Sequence, residues 1–179
     1  MVAGWPIHLS AARKSFMLHQ MSSGKLTSAD ELVRLSSGMR SAARRLVFTN
    51  GCFDVLHVGH VRYLQQARLL GDALAVALNS DESVRAIKGE TRPINSQEDR
   101  AEILAALTCV DYVTIFYGER VTELVRAVRP AIYAKGGDYT VESLVQEEVA
   151  VLREIGTEIK ILPLVPGKST SKMIEQWNQ

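Results

Sequence analysis

The chain has 179 residues, of which 46% are hydrophobic and 23% charged, enough apolar side chains for one sizeable core, so one catalytic domain plus an extension is expected. Its longest apolar stretches, such as residues 73–78 and 159–165, fall well short of the roughly 20 residues that cross a bilayer, so no membrane protein is expected. The formal net charge of +1 hides an asymmetry: residues 1–45 carry seven Lys/Arg against Asp30 and Glu31, a basic head ahead of a mildly acidic body.

In the head, Arg13 and Lys14 precede only a short mixed run, residues 15–21, which lacks the apolar core of a secretory signal. The lack of acids before Asp30 imitates an organellar transit peptide, but a flexible arm is the simpler reading. Ser28-x-x-Glu31 caps a helix over residues 29–37, and residues 36–43 read as a linker into the first strand. Two cysteines, Cys52 and Cys109, have no partner at metal-ligand spacing, so no disulfide framework or zinc site is indicated and a cytoplasmic protein is expected.

From residue 45 onward, short β-branched runs alternate with helical stretches. Strand 46–49 leads through a turn to a helix with Val61, Leu64, Ala67 and Leu70 on one face, stopped by Gly71. Strand 73–78 follows. Ser96, with Asp99 three residues on, opens a helix through Leu107, and 110–116 is the third strand. A helix over 121–128 ends at Arg129-Pro130, strand 132–134 follows, then a helix over 143–155 stopped by Gly156, and strand 158–162. The pattern predicts an α/β fold, a Rossmann-like doubly wound five-stranded parallel sheet in one domain over residues 45–179, with an N-terminal helical extension and linker over 1–44. In such sheets ligands bind outside the carboxyl ends of the strands, and the polar, Gly-containing segments of this chain fall there.

The densest of them is Thr49-Asn50-Gly51-Cys52-Phe53-Asp54-Val55-Leu56-His57-Val58-Gly59-His60, between the first strand and its helix. Gly51 and Gly59 let backbone approach a ligand, and the helix start offers unpaired N–H groups and a positive dipole end. His57 and His60, three apart on a first helical turn, can bracket a phosphate. Either histidine alone would read as structural; two at this spacing after a glycine turn read as an anion site. The segment resembles the TxGxFDxxHxGH motif of the nucleotidyltransferase superfamily, which includes cytidylyltransferases, pantetheine-phosphate adenylyltransferase and heptose 1-phosphate adenylyltransferase.

Three further segments extend the resemblance over about residues 45–177. Gly167-Lys168-Ser169-Thr170-Ser171-Lys172 resembles the superfamily's STSK-type phosphate loop, with Ser and Thr hydroxyls, a helix start and two lysines for the distal phosphates. The segment from Lys88 to Arg100 resembles the one that brings mobile basic residues onto the reacting phosphates, with Lys88 and Arg100 the candidates and Arg92 ranked lower. Lys135-Gly136-Gly137-Asp138-Tyr139 resembles the KGGDY sequence of the D-glycero-β-D-manno-heptose 1-phosphate adenylyltransferases, where cytidylyltransferases of the glycerol 3-phosphate type tend to carry an MGDDW-like sequence. Asn79-Ser80-Asp81 also looks like the heptose subfamily. In many bacteria that activity is fused behind a sugar kinase; residues 1–179 contain no such domain and look like the stand-alone form or a fragment.

The resemblance implies transfer of the adenylyl group of ATP to a sugar 1-phosphate, giving an ADP-sugar and pyrophosphate. The attacking phosphate is already anionic, so alignment and charge neutralisation suffice and no protein nucleophile is needed. It implies His57, His60, Lys88 and Arg100 as catalytic groups; Thr49, Asn50, Gly51, Cys52, Phe53, Gly59, Lys168, Ser169, Thr170, Ser171 and Lys172 at ATP; and Asp54, Asn79, Asp81, Lys135, Gly136, Gly137 and Asp138 at the acceptor. Mg²⁺ carried by the triphosphate, with no dedicated protein ligands, and a homo-oligomer, a dimer, are also implied. The alternative enzyme is a cytidylyltransferase acting on a small phosphorylated alcohol. A nucleic-acid reading, prompted by the HIGH-like signature of class I aminoacyl-tRNA synthetases, meets too short a chain and a basic head with only Trp5 and Phe16 as aromatics.

Overall fold

The computed structural model describes residues 24–137, 140 and 143–163. Eleven elements follow one another: α1 (Ala29–Ser41), β1 (Leu46–Gly51), α2 (Val58–Arg68), β2 (Ala73–Asn79), α3 (Asp81–Lys88), α4 (Gln97–Ala106), β3 (Tyr112–Phe116), α5 (Thr122–Val128), β4 (Ile132–Gly136), α6 (Gln146–Glu154) and β5 (Glu158–Leu162). The strands form one parallel sheet in the order β3-β2-β1-β4-β5, the doubly wound arrangement predicted. Burial explains the strand sequences. All seven residues of β2 are buried, because helices cover both faces of the sheet, so the strand reads as a continuous apolar run rather than an alternation.

One layer packs α1, α5 and α6 on Phe48, Ala75 and Tyr133; the other packs α2 and α4 on Val47, Val76, Ile132 and Ala134. Alternation along the strands therefore assigns their polar carboxyl ends as well. Thr49, Gly51, Ala134 and Gly136 fall on the α2 side, and Asn50 and Lys135 on the α6 side.

Two elements differ from the sequence reading. The linker expected over 36–43 is helical to Ser41. Ser36-Ser37-Gly38 has poor intrinsic helix propensity, but Ser36 Oγ donates to Val128 O at 2.7 Å, and Arg40 Nη1 donates to Val128 O at 2.6 Å and Arg129 O at 3.0 Å, so tertiary partners carry the helix past the weak spot. Just before it, Leu26 bridges to Val113, with Val113 N donating to Lys25 O at 2.8 Å and Thr27 N to Val113 O at 2.9 Å, which lays this segment along the edge of β3. Secondly, α3 was not foreseen; Ser80 caps it through a hydrogen bond from Ser83 N at 3.2 Å. Elsewhere element ends move by one to three residues. Among the described residues no helix is long and apolar enough to cross a membrane.

Candidate active site

Winding reverses between β1 and β4, and there the ladder is short. β1 and β2 stay in register for six pairs, whereas β1 and β4 pair only at Val47 with Ile132 and Phe48 with Tyr133. Beyond those residues the two strands part, opening a crevice at their carboxyl ends, the place where doubly wound sheets take ligands. On the α2 side Tyr63 closes its root. The Tyr63 hydroxyl donates to Ala134 O at 2.9 Å and, its one proton spent, accepts from Thr49 Oγ1 at 2.7 Å. Burial pushes the phenol's pKa upward. A Cβ at position 136 would stand 2.6 Å from the Tyr63 ring, which is why glycine follows Lys135. Gly137 follows with φ 146°, a conformation side chains disfavour, and its N–H donates to Leu162 O at 3.3 Å.

On the α6 side the crevice is bridged by polar groups. Lys135 Nζ donates to Asn50 Oδ1 at 2.7 Å, and the same oxygen lies 2.7 Å from the Tyr133 hydroxyl, which is also 2.9 Å from Glu148 Oε2. Burial lowers the Lys135 pKa, and the Glu148 carboxylate opposes that shift.

The start of α2, reached from the carboxyl end of β1 through its turn, carries the histidine pair. His57 is the N-cap, its Nδ1 accepting from Gly59 N at 3.1 Å, and His60 Nδ1 accepts from His57 N at 3.4 Å, a capping box built from two imidazoles. The rings stack with centroids 4.0 Å apart, and Phe53, held at φ 43°, meets the His60 ring edge-on at 5.3 Å. Two consequences follow from chemistry. With both Nδ1 atoms accepting, each neutral ring carries its proton on Nε2, a donor on the far side of the ring from the cap. Burial, with His57 adding to it, lowers the His60 pKa to about 4, so the ring stays neutral through the physiological range and acts as a hydrogen-bond donor without charge.

Several residues expected to touch substrate are held by neighbouring protein groups. Arg100 is 1% exposed, with Nε donating to Asn95 O at 3.1 Å, Nη1 to Cys52 O at 2.6 Å and Nη2 to Asp81 Oδ1 at 2.6 Å. The mobile cation expected there is corrected to a fixed tie between the β1 turn, α3 and α4. Asp54, expected at the acceptor, is buried and accepts from Ile94 N at 2.7 Å, Asn95 N at 3.1 Å and Arg92 Nε at 2.5 Å, which pins the 92–95 loop over the β1 turn. Asn79 is likewise buried, donating to Ser83 Oγ at 2.8 Å, and Ser83 passes the link to Gly118 O. Thr49 spends its hydroxyl on Tyr63. Lys88 is different: it is exposed at the end of α3, and its charge opposes the upward shift of the Cys52 thiol pKa. Lys168, Ser169, Thr170, Ser171, Lys172 and Asp138 lie outside the described residues.

Cys52 sits half-buried in the β1 turn, and burial raises its thiol pKa despite the opposing charges of Lys88 and Arg100. A protonated thiol is a poor nucleophile. Cys52→Ser should therefore keep kcat within about twofold, the roughly 0.5 kcal/mol typical of a substitution that disturbs no key contact. Steady-state turnover of the purified variant checks this, and a much larger loss would give the thiol a chemical role.

A roomy cleft of about 910 Å³ lies elsewhere, at the edge of β3 over Leu26, Val33, Val113, Phe116 and Leu124. Of the segments that carry the resemblance it takes in Glu98, and none of the Thr49–His60 or Lys135–Gly137 residues line it. Tyr63, Tyr133, Glu148 and Asn95 are the functional supports that sequence reasoning missed. No local motif marks them, since each earns its place from partners 14 to 83 residues away.

Residues 48–176 match the family model described as Cytidylyltransferase-like. The chain is 48% identical over 160 residues to bifunctional protein HldE of Pelobacter propionicus and 46% identical over 158 residues to that of Geobacter sulfurreducens, alignments covering 89% and 88% of this chain. They cover 32% of each relative, so the chain spans about a third of the length of these proteins. Among solved structures, a lipopolysaccharide core biosynthesis protein from Thermoplasma volcanium matches with TM-score 0.57 and 28% identity, covering 68% of this chain and 97% of that one. Pantoate-beta-alanine ligase from Francisella tularensis matches with TM-score 0.56 at 15% identity, covering 82% of this chain and 68% of that one, a likeness of fold alone.

Proposed function

The chain belongs to the cytidylyltransferase-like family, and from that premise we propose that it transfers the adenylyl group of ATP to a sugar 1-phosphate, D-glycero-β-D-manno-heptose 1-phosphate, giving ADP-heptose and pyrophosphate. The observation that supports this reading is the end of the β1–β4 ladder at Phe48 and Tyr133, beyond which β1 turns into the histidine-capped start of α2 and β4 carries Lys135. That set binds and neutralises phosphoryl oxygens. The resemblance of Lys135–Tyr139 to the heptose enzymes and the identity to HldE proteins favour adenylyl transfer over the cytidylyl alternative.

In the proposed reaction an oxygen of the sugar phosphate attacks the α-phosphorus of ATP in line with the departing pyrophosphate. Both ends of the displacement are anions, so the protein's task is placement and charge. The two imidazole donors and the N–H groups of α2 hold the α-phosphoryl oxygens, strengthening their hydrogen bonds as charge develops. Lys135 receives the acceptor phosphate, Lys88 reaches the phosphates from the end of α3, and Lys168, Ser169, Thr170, Ser171 and Lys172 serve the distal phosphates. Asp54 and Arg100 act at one remove, holding the β1 turn and the 92–95 loop in register. Among the described residues no cluster of three or more His, Cys, Asp or Glu could hold a metal ion, and Asp54 and Asp81 are spent on Arg92 and Arg100. Mg²⁺ is proposed as an ion carried on the triphosphate, where it would neutralise charge. Residues 45–179 form the proposed nucleotidyltransferase domain, with 1–44 as an extension whose helix α1 packs on its sheet; the protein is cytoplasmic and dimeric in this reading.

Pyrophosphate release with Mg²⁺ and heptose 1-phosphate tests it. We expect kcat/KM with ATP to exceed that with CTP by roughly tenfold or more, as a site that hydrogen-bonds one base rejects another. A preference for CTP would overturn the adenylyl assignment.

A further inference from the structure

We propose that Glu148 is a positioning residue of this site, fixing the Lys135 ammonium at the crevice through Tyr133 and Asn50 so that it meets an anionic phosphoryl group. The proposal rests on the nucleotidyl-transfer reading for the identity of that group. Glu148 is the polar side chain on α6 with no ordinary reason to be where it is. An acid in the first turn of a helix complements the dipole, but the adjacent Glu147 does so from an exposed position, whereas Glu148 is 7% exposed. Burying a carboxylate is costly unless its charge is used.

Its use is a relay of three contacts. The Tyr133 hydroxyl lies 2.9 Å from Glu148 Oε2 and 2.7 Å from Asn50 Oδ1, its one proton shared between these two acceptors, and Lys135 Nζ donates to Asn50 Oδ1 at 2.7 Å. The chain of contacts has an acid at one end and an ammonium at the other, and the Tyr133 ring lies under that ammonium, 5.5 Å from Nζ to centroid. Tyr133 is fully buried and packs in stacked fashion on Phe48, so the relay cannot swing. Asn50 takes one of the three lysine donors, and the others serve the ligand. Because β1 and β4 have already parted at this level, the Asn50–Lys135 bond is what sets the spacing across the crevice on the α6 side.

The electrostatics point the same way. Among the described residues the groups facing Lys135 are Glu148 from α6, Tyr133 on its own strand, and Asn50 and Cys52 from β1 and its turn. Burial disfavours the ammonium most, Glu148 is the largest opposing influence and Cys52 the next. A lysine whose pKa is lowered loses its charge as pH rises, so removing Glu148 brings that loss to lower pH.

Glu148→Gln keeps the shape and removes the charge. We expect the alkaline limb of kcat/KM for the sugar phosphate to move down by about one pH unit, so that rates on that limb fall about tenfold while those near pH 7 change little. Glu148→Asp should restore part of the shift. The direct readout needs no turnover: in protein with ¹³C-methylated lysines, the Lys135 signal, assigned by its absence from Lys135→Arg, should titrate at lower pH in Glu148→Gln than in the unaltered protein. Tyr133→Phe interrupts the relay without touching the acid and serves if Glu148→Gln does not fold; it should displace the Lys135 titration and raise KM for the sugar phosphate more than it lowers kcat. An unmoved Lys135 titration in the folded variant overturns the proposal. A shifted titration in a protein that transfers no adenylyl group would uphold the positioning role and sink the functional reading instead.

Discussion

Alanine at His57 or at His60 should lower kcat by roughly 10²–10³, about 2.7–4 kcal/mol of transition-state stabilisation, with KM for ATP changed far less. The geometry separates two uses of each ring. The Nδ1 atoms cap α2, accepting from Gly59 N and His57 N, and the proposed contact with phosphoryl oxygens falls to Nε2. Loss of the cap is a stability effect, typically about 1 kcal/mol, and loss of the donor is a rate effect. His57→Asn retains a good N-cap, so its melting temperature should stay near that of the unaltered protein while its kcat falls with that of His57→Ala. Because the His60 pKa lies near 4, its protonation should leave no acid limb in the kcat profile above about pH 5. Near-normal kcat in folded His57→Ala and His60→Ala would reduce the pair to caps, and with it the assignment of the reacting phosphorus to this crevice.

Arg100→Met should instead be a stability mutant, with a loss of about 3 kcal/mol and a fall of roughly 6–12 °C in melting temperature for a chain of this size. Methionine fills much of the volume but abandons the Asp81 carboxylate and the carbonyls of Cys52 and Asn95. The lower end of the usual range for breaking a buried ion pair applies, because the Asp81 side chain is 27% exposed and water recovers part of its solvation. Differential scanning calorimetry and turnover measured well below the new midpoint distinguish the two roles. An unchanged melting temperature with a collapsed kcat would return Arg100 to the phosphates, against its burial.

A brace and a contact carry the same letters, which limits how far the site could be read in advance. The motif Thr49–His60 was legible because both its chemistry and its helix start are local: His57 and His60 meet through the 3.6-residue period. Lys135 and Gly136 were legible by position after a strand, although only the Tyr63 ring explains the glycine. Asp54 and Asn79, expected at the acceptor, and Arg100, expected on the reacting phosphates, are each engaged by neighbouring protein groups, and in sequence a polar residue near a motif looks the same whether it faces the ligand or the loop behind it. Tyr63, Tyr133 and Glu148 carried no signal at all, as their partners lie on other elements.

The five strands, their parallel doubly wound arrangement and the histidine-capped helix start follow from what the chain carries locally: β-branched runs bounded by turns, Ser28 and Ser96 as caps, Gly71 and Gly156 as stops, and two histidines three residues apart. These are short-range properties, set by backbone sterics and by the burial each run demands. Tertiary structure decided the rest. α1 continues to Ser41 because Val128 and Arg129 offer carbonyls to Ser36 and Arg40, a contact 88 to 92 residues away that outweighs the low propensity of Ser-Ser-Gly. The crevice exists because the β1–β4 ladder ends after two pairs, and it is Tyr63 on one face and Asn50 with Lys135 on the other that hold its walls. Burial turns Arg100 from a cation for solvent into a cation for Asp81, since a charge removed from water keeps only the partners the fold has brought to it.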